Sequence, residues 1–451
     1  MTMNDHLKFS RIAKALTDRS NGAASFDAAE KRLNAVRVAV LLGANQSATA
    51  AGQAAALTAV NASFKCFGTI TLVAQEPTPL VNSLPVGNDM HCAARSLGAV
   101  ISAEVPRDVT HIIVVADEAT RDTPAFVRCW WNGWTAGIVP PWEIRPNGHS
   151  GNSLAGVFAG ALAVREVFAT VLGYPRSGSR VSVTSLWEPG SDPLTAGAGP
   201  ETVYLAPRLW FVGLGHLGQG ILWSLGLLPV TGLEVVMQDD QNAGEENEAT
   251  GLITRGNFTG RRKTRIAADW LDRPGWCTRL IERRHYGDIP LLDNDPSVVI
   301  TSLDEPTARI KIAKTGFDYL IDAGIGHGPV DFEAVQMRIL AKGADPSAFW
   351  SSPARPKDLD SLLKQDAYRS HATQSGECGS LTLASASVAV PFVGAAVGAL
   401  TIACAMRLAS MKTTPQILQM ELGAPAMAVL GGENAAPDES RGSVEIRFVR
   451  T

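Results

Sequence analysis

Short, nearly uninterrupted apolar runs alternate along the chain with longer Ala-rich stretches, the pattern of strands buried in a parallel sheet and of the helices that cover it. VRVAVLLGANQ, from Val36 to Gln46, reads as an apolar strand ending in a glycine turn, followed by an Ala-rich helix and a second strand, TITLVAQE, that ends at Glu76. RLWFVGLGHLGQG, from Arg208 to Gly220, repeats that order, and its second strand, LEVVMQ, runs into Asp239 and Asp240. Each half then offers a further apolar strand before an acidic turn, HIIVVADE at 111–118 and SVVITSLDE at 297–305. Each closes on a helix of one type, Gly156-x-x-x-Gly160-Ala161-Leu162 in the first half and Gly394-x-x-x-Gly398-Ala399-Leu400 in the second. The predicted fold is α/β, two tandem Rossmann-like units with mostly parallel central sheets.

The two copies are unequal. From strand-end glycine to helix glycine the first runs from Gly43 to Gly156 and the second from Gly213 to Gly394, and the excess falls in polar, Gly/Ser/Pro-rich sequence at 240–262 and 342–380. Such composition adds loops rather than core. Tyr174 to Glu201 has linker composition with room for one short strand. The expected organisation is a first domain over 1–175, a linker over 176–201 and a second domain over 202–451 with a crossover loop at 342–380.

Composition removes several classes. At 45% apolar and 19% charged over 451 residues the chain folds, and 40 Lys plus Arg against 44 Asp plus Glu leave a net charge of −4. Neither nucleic acid nor an anionic membrane is attracted by that balance. Six cysteines without a C-x-x-C pair exclude a disulfide scaffold and a zinc site of ordinary spacing, which fits a cytoplasmic location. The N-terminus mixes charges and lacks the apolar core of a secretory signal, so no export is expected. Gly379 to Met406 carries no charge until its end, yet Pro391 and the wealth of Ala and Gly read as a strand and a buried helix rather than a membrane span.

Chemistry concentrates in the second half. Gly213-x-Gly215-x-x-Gly218 follows a strand and opens a helix, where backbone amides and the positive helix end can hold a phosphate. Asp239 and Asp240 end the next strand, in place to accept hydrogen bonds from a ribose. A nicotinamide enzyme and an ATP enzyme share these features. A basic residue on the following helix, Lys263, and a carboxylate after the next strand, Asp304, favour ATP, because Lys263 can reach bound phosphates and Asp304 can hold Mg²⁺ with phosphate oxygens. The plain alternatives are a solvated basic face for Lys263 and a helix cap for Asp304.

On these residues the second half, roughly 205–410, resembles the ThiF/MoeB adenylyltransferases and the ubiquitin-activating enzymes of the same fold. The matching positions are Gly213 to Gly218, Asp240, Asn247, Gly260 to Lys263, and Asp304 with Arg309. LIDAGIGHG at 320–328 and PFVGAAVGALTIACAMRL at 391–408 are similar to the family's later strand and closing helix. The chain departs from the family in three ways. No Arg follows Asn247 closely, so that phosphate contact is either missing or supplied by Arg255, Arg261 or Arg262, Glu305 replaces an Asn, and the zinc cysteines are absent.

The resemblance implies ATP and Mg²⁺ as cofactors, with Gly213, Gly215, Gly218, Asp239, Asp240, Asn247 and Lys263 binding ATP and Asp304 the metal. It implies adenylation of the C-terminal carboxylate of a ubiquitin-like or sulfur-carrier protein, followed by thioester formation on Cys378 and transfer to a conjugating enzyme or acceptor. Arg369 and His371 are the basic residues near Cys378 in sequence; Cys277 is the alternative nucleophile and Cys404 reads as core. The first half's turn, Gly43-Ala-Asn-Gln-Ser, lacks the second and third glycines and has no counterpart of Lys263, implying an inactive unit fused to an active one. In such pairings an arginine from one unit's N-terminal helix reaches the other's nucleotide, and Arg11 is the residue here. The run Cys129-Trp-Trp-Asn-Gly-Trp134 is core or a partner-facing patch. An NAD-dependent oxidoreductase, an inactive scaffold that binds a ubiquitin-like protein, and a homodimer all remain open at this level.

Overall fold

The computed structural model describes residues 10–19, 22–117, 126–148, 151–350, 359–436 and 442–448. Most of the N-terminal segment, Glu118 and residues 351–358 of the expected crossover loop lie outside them. Two large sheets organise the chain. The first contains β1 (Arg37–Leu42), β2 (Thr69–Val73), β3 (Val100–Ser102), β4 (His111–Val115), β5 (Val127–Asn132), β6 (Thr135–Val139) and β7 (Ser182–Ser185) in the order β3-β2-β1-β4-β5-β6-β7. The second contains β8 (Arg208–Val212), β9 (Glu234–Gln238), β10 (Cys277–Ile281), β11 (Val298–Thr301), β12 (Tyr319–Ile325), β13 (Ala334–Ala341), β14 (Thr414–Glu421) and β15 (Ala424–Asn434), ordered β10-β9-β8-β11-β12-β13-β14-β15.

The two orders are the same apart from the last strand of the second sheet. In each sheet the first five strands are parallel and the rest antiparallel. This is the doubly wound arrangement, with a topological switch where the first strand of each unit lies between its second and its later ones. The repeat legible in the glycine turns and closing helices is thus a repeat of whole sheets. The aromatic run builds β5 and β6, and Trp130, Trp131 and Trp134 are all buried, so it is core and not a partner-facing patch.

Helices cover the sheets: α1 (Ser10–Thr17), α2 (Phe26–Asn34), α3 (Ala50–Phe67), α4 (Ser153–Val171), α5 (His216–Gly226), α6 (Lys263–Leu271), α7 (Pro306–Ala313), α8 (Asp366–Ser385) and α9 (Pro391–Ala409). Thr49 caps α3 through Gly52 N–H, and Asn152 caps α4 through Leu154 and Ala155 N–H. Pro391 starts α9, where its missing N–H costs nothing.

Four of these helices form one layer. In the first unit α4 packs on α3, in the second α9 packs on α5, and α4 and α9 pack on each other across the units. The glycines are what allow it. A Cβ on Gly156 would lie 2.0 Å from Ala51 O, one on Gly220 1.9 Å from Gly394 O, and one on Gly398 2.0 Å from Gly220 O. The closing helices therefore meet their partners backbone to backbone. Phe168 and Phe392 meet at 5.5 Å between units, and Trp223 donates to Thr58 Oγ1 at 2.9 Å. Two helices, Ser153–Val171 and Pro391–Ala409, have the length and apolarity to cross a membrane, but both are mostly buried inside the fold.

The strand expected ahead of α9 is absent. Residues 386–390 are irregular, and α8 precedes them. Their backbone is satisfied elsewhere: Val388 N–H donates to His327 O at 3.2 Å, Ser387 O accepts from Arg11 Nε at 3.0 Å, and Val390 O bonds His216 Nε2 at 2.8 Å. With these groups spent on loops and side chains, no sheet ladder can form.

Because a Cβ at position 220 meets backbone, which cannot rotate away, Gly220→Ala is expected to destabilise the chain by about 1–3 kcal/mol. Denaturant unfolding checks this, with Gly197→Ala, which meets nothing within 4 Å, as the control.

Candidate functional site

A cavity of about 950 Å³ lies along the C-terminal ends of β8, β9, β11 and β12 and continues over β13, β14 and β15. Its floor begins at the glycine loop. Gly213 sits at φ +89°, a region that favours glycine, and a Cβ on Gly218 would fall 2.1 Å from Gly213 O. Gly215 differs, since a Cβ there would meet nothing within 4 Å. That open space over the start of α5 leaves room for an anion against the helix amides. Ser302 Oγ donates to Gly213 O at 2.8 Å and holds the turn from the β11 side.

The two acids after β9 have separate tasks. Asp239 accepts from Leu214 N–H at 2.7 Å and from Gln241 N–H at 2.8 Å, so it ties the glycine loop to the next segment. Asp240 faces only Arg284, at 3.7 Å, and its carboxylate is the one more open to a ligand hydroxyl. Lys263 is buried at the first position of α6, and its Nζ donates to Gln241 Oε1 at 2.6 Å. It is not part of a solvated basic face. Asn247 is buried and accepts from Gly244 N–H at 2.9 Å. Glu305 occupies the cap position of α7, where its carboxylate accepts from Thr307 Oγ1 and caps no backbone N–H, and Asp304 lines the cavity instead of capping that helix.

One lining residue comes from the other end of the chain. Arg11, on α1, reaches into the cavity, where burial lowers its guanidinium from the ordinary value while Glu246 and Asp304 oppose that shift. Glycine loop, Asp239, Asp240, Asn247, Lys263, Asp304 and Arg11 thus surround one space. Gly218 supports it from beneath. Among the described residues no three His, Cys, Asp or Glu side chains converge on a metal position. A divalent ion at Asp304 would take most of its ligands from phosphate oxygens and water, as Mg²⁺ commonly does.

The three arginines expected to replace the family's missing one point elsewhere. Arg255 donates to Ser96 Oγ at 3.0 Å, Arg261 pairs with Asp269 at 2.7 Å, and Arg262 donates to Asp240 O at 2.6 Å. The cavity instead holds Arg309 and Arg338, both paired with the buried Asp322, at 3.3 and 3.5 Å. Arg338, on antiparallel β13, belongs to none of the motifs read from the sequence. Its register opposite Asp322 brings it in.

Cys378 is not among the lining residues. It is exposed on α8, two residues past Gly376, whose φ of 75° interrupts the helix. Ser385, at the end of that helix, does line the cavity, roughly 10 Å farther along at 1.5 Å per residue. Neither basic neighbour in sequence serves the thiol, because Arg369 pairs with Asp366 at 2.5 Å and His371 bonds Ser380 Oγ at 2.9 Å. Cys277 is exposed on edge strand β10, and Cys404 is buried in α9, where burial pushes its thiol up to about 12. Cys404 is core, as expected.

In the first unit the corresponding space is taken by the chain itself. Asn45 and Gln46 of the altered turn donate to the Asp117 carboxylate at 3.0 and 2.6 Å. Buried Arg128 donates to Asp117 O at 2.9 Å and to Glu143 O at 3.1 Å, pinning residues 143–147 over the same end of the sheet.

His216, between the second and third glycines, is held neutral. Burial first, and Arg11 second, lower it to about 4, against the bond from its ring to Val390 O. The unfolded histidine titrates near 6.5. Protons therefore bind the unfolded chain more readily between those values, and stability is full above about pH 6.5 and falls as the pH drops toward about 4. Unfolding measured across that range should show this loss, on the order of 3 kcal/mol for the one group, and His216→Gln should flatten it.

Two family models match the chain, the BilD N-terminal domain over residues 37–186 and the BilD C-terminal domain over residues 205–412. The bacterial E1-like protein BilD of Collimonas sp. (strain OK412) is 31% identical over 401 residues, covering 86% of each chain. Among solved structures, E. coli MccB with AMPCPP and MccA aligns at a TM-score of 0.34 and 12% identity, over 52% of this chain and 65% of that one. MccB alone gives 0.35 and 12%, over 51% and 62%. The chain thus spans just under two thirds of those MccB chains, and likenesses at such scores carry no argument.

Proposed function

The chain belongs to the BilD family of bacterial E1-like proteins, and on that premise we propose that it activates the C-terminal carboxylate of a peptide or small protein with ATP. The observation that carries this reading is the cavity, in which a glycine loop, two acids, a buried lysine and an arginine from the other unit enclose one space. A nicotinamide enzyme has no use for Lys263, Asp304 and Arg11 around one phosphate position.

In this reading the substrate is a ubiquitin-like or sulfur-carrier protein. Its terminal carboxylate oxygen attacks the α-phosphorus of ATP, an acyl-phosphate bond forms, the α–β bond breaks, and pyrophosphate leaves. The residues contribute placement and charge. The amides at Gly215 hold phosphate, Asp240 holds the ribose, and Lys263, Arg11, Arg309 and Arg338 neutralise negative charge that two anions bring together. Asp304 would hold Mg²⁺, which supplies further charge neutralisation on the phosphates. The first unit is the inactive partner: its own Asn45, Gln46 and Arg128 occupy its sheet end, and it serves the second through Arg11 and through Lys65, whose Nζ donates to Glu248 O and Thr254 O beside Asn247.

Cys378 is proposed as the thioester-forming residue, its thiolate attacking the acyl carbon with release of AMP. Its exposure supports access, and the break at Gly376 supports a swing of the segment that carries it toward the cavity.

ATP–pyrophosphate exchange, measured with candidate small proteins and peptides that have free C-termini, tests the first step. Lys263→Ala and Arg11→Ala should each lower exchange by about 100-fold or more. Nucleotide binding with no exchange under any pairing would sink the enzyme reading in favour of a scaffold. For the second step, a reducible adduct of the two chains should form with wild type and vanish in Cys378→Ala; its persistence would move the role to Cys277 or remove it.

A further inference from the structure

The glycine loop and Asp240 account for phosphates and ribose over β8 and β9, and the cavity runs on in the other direction, over β12 to β15. Those strands alternate. Met337, Leu418 and Met427 are buried in the core, and the side chains between them belong to the opposite face, which the cavity follows. Register sets that face in rows. Gly324 pairs with Gln336, Gln336 with Gln419 and Gln419 with Ala428, one residue from each strand on a line across the sheet. Nearer the strand ends Ala334 pairs with Glu421, and Glu421 with Ala424. Both rows line the cavity.

The long row offers side-chain amides at adjacent strands. Gln336 Oε1 accepts from Arg338 Nη2, and Arg338 is itself paired with the buried Asp322, so Gln336 is held in place; Gln419 beside it is exposed. A side-chain amide carries two donors and an acceptor, the groups that match the C=O and N–H of a peptide backbone. Around the two glutamines, Gly324, Ala334, Ala424, Ala426 and Ala428 extend no farther than a Cβ, so they build no walled pocket that would select a large side chain. The spacing says which part of a substrate passes here. β13 and β14 lie three and four strand spacings from the glycine loop that follows β8, roughly 14 and 19 Å. An extended chain advances about 3.3–3.6 Å per residue, so a peptide with its terminal carboxylate at the α-phosphorus passes Gln336 at about its fourth residue from the end and Gln419 at about its sixth.

Resting on the adenylation reading above, we propose that Gln336 and Gln419 position the substrate by bonding the backbone of its C-terminal tail. The partner is then a chain whose last residues, roughly six of them, are extended and are read through their peptide groups rather than their side chains. Both glutamines are positioning residues, remote from the reacting atoms. No motif read from the sequence includes either.

ATP–pyrophosphate exchange with the full chain tests this, the probe being whichever small protein or peptide drives exchange in the assay above. Gln419→Ala should raise the KM for that probe about three- to tenfold and leave the KM for ATP within about twofold. Gln336→Ala should raise the probe's KM by a similar factor and, because it also releases Arg338, lower kcat. In the probe, an ester in place of the peptide bond at the sixth residue from the end should raise KM with wild type and add nothing further with Gln419→Ala. Alanine in place of the side chains at the fourth and sixth residues should change KM by less than about twofold. A role confined to folding would raise the KM for ATP along with that for the probe. If Gln419→Ala leaves the probe's KM unchanged, if both KM values rise together, if the ester effect persists in Gln419→Ala, or if the alanine replacements cost as much as the ester, the assignment fails while the adenylation reading stands. If no candidate drives exchange, both fail.

Discussion

Backbone-to-backbone contact between helices is the constraint on which this molecule rests. Gly220, Gly394 and Gly398 let α5 and α9 meet without side chains between them, and Gly156 and Gly160 do the same for α4 against Ala51 and Ala55 of α3. Because α4 and α9 then pack on each other, the two units share one continuous core rather than being tethered by a linker. Close crossing maximises dispersion contacts over apolar helices whose small side chains would otherwise leave voids. It also fixes the distance from each sheet to the other unit. Arg11 lines the second unit's cavity through contacts of its own, since α1 packs on α2, on the helix at 246–250 and on α8, and Arg11 Nε donates to Ser387 O at 3.0 Å.

The two units differ in what occupies each sheet end. Where the turn keeps its glycines, the space above the first strand is open and polar groups face into it. Where Asn45 and Gln46 replace them, their amides bond Asp117, and Arg128 draws a loop over the remainder. A filled site retains the fold's stability and loses its opening. The first unit's polar groups reach outward instead, with Lys65 and Asn61 donating to backbone oxygens of the 248–254 segment that borders the second cavity. The buried Arg165–Glu333 pair, at 2.7 Å, adds a charged contact between the units that breaks only at the cost of an uncompensated buried charge.

The active-site reading depends on cations gathered from distant parts of the chain. Lys263 arrives by helix start, Arg309 on α7, Arg338 by antiparallel register and Arg11 by the packing of α1. Asp322 and Gln241 hold three of them in fixed places through side-chain contacts. Such preorganisation is what a site needs when negative charges must be brought together without rearrangement. Cys378 stands apart from this cluster, exposed on a helix with a break two residues before it.

Periodicity and glycine spacing alone determined that the chain holds two related α/β units, where each glycine turn lies, and which acids and which lysine follow it. These are local features, since strand, turn and helix signals act over a few residues. The strand expected at 386–390 failed because its backbone groups are claimed by Arg11 and His216, partners hundreds of residues away in sequence for one and brought in by α5 for the other. Which arginines line the cavity was likewise a question of sheet register and helix packing: Arg255, Arg261 and Arg262 are near in sequence and turned elsewhere, while Arg338 is remote and turned in. A motif can name the residues that touch a turn, but only the assembled sheet, by setting strands side by side at fixed spacing, decides which other side chains share its space.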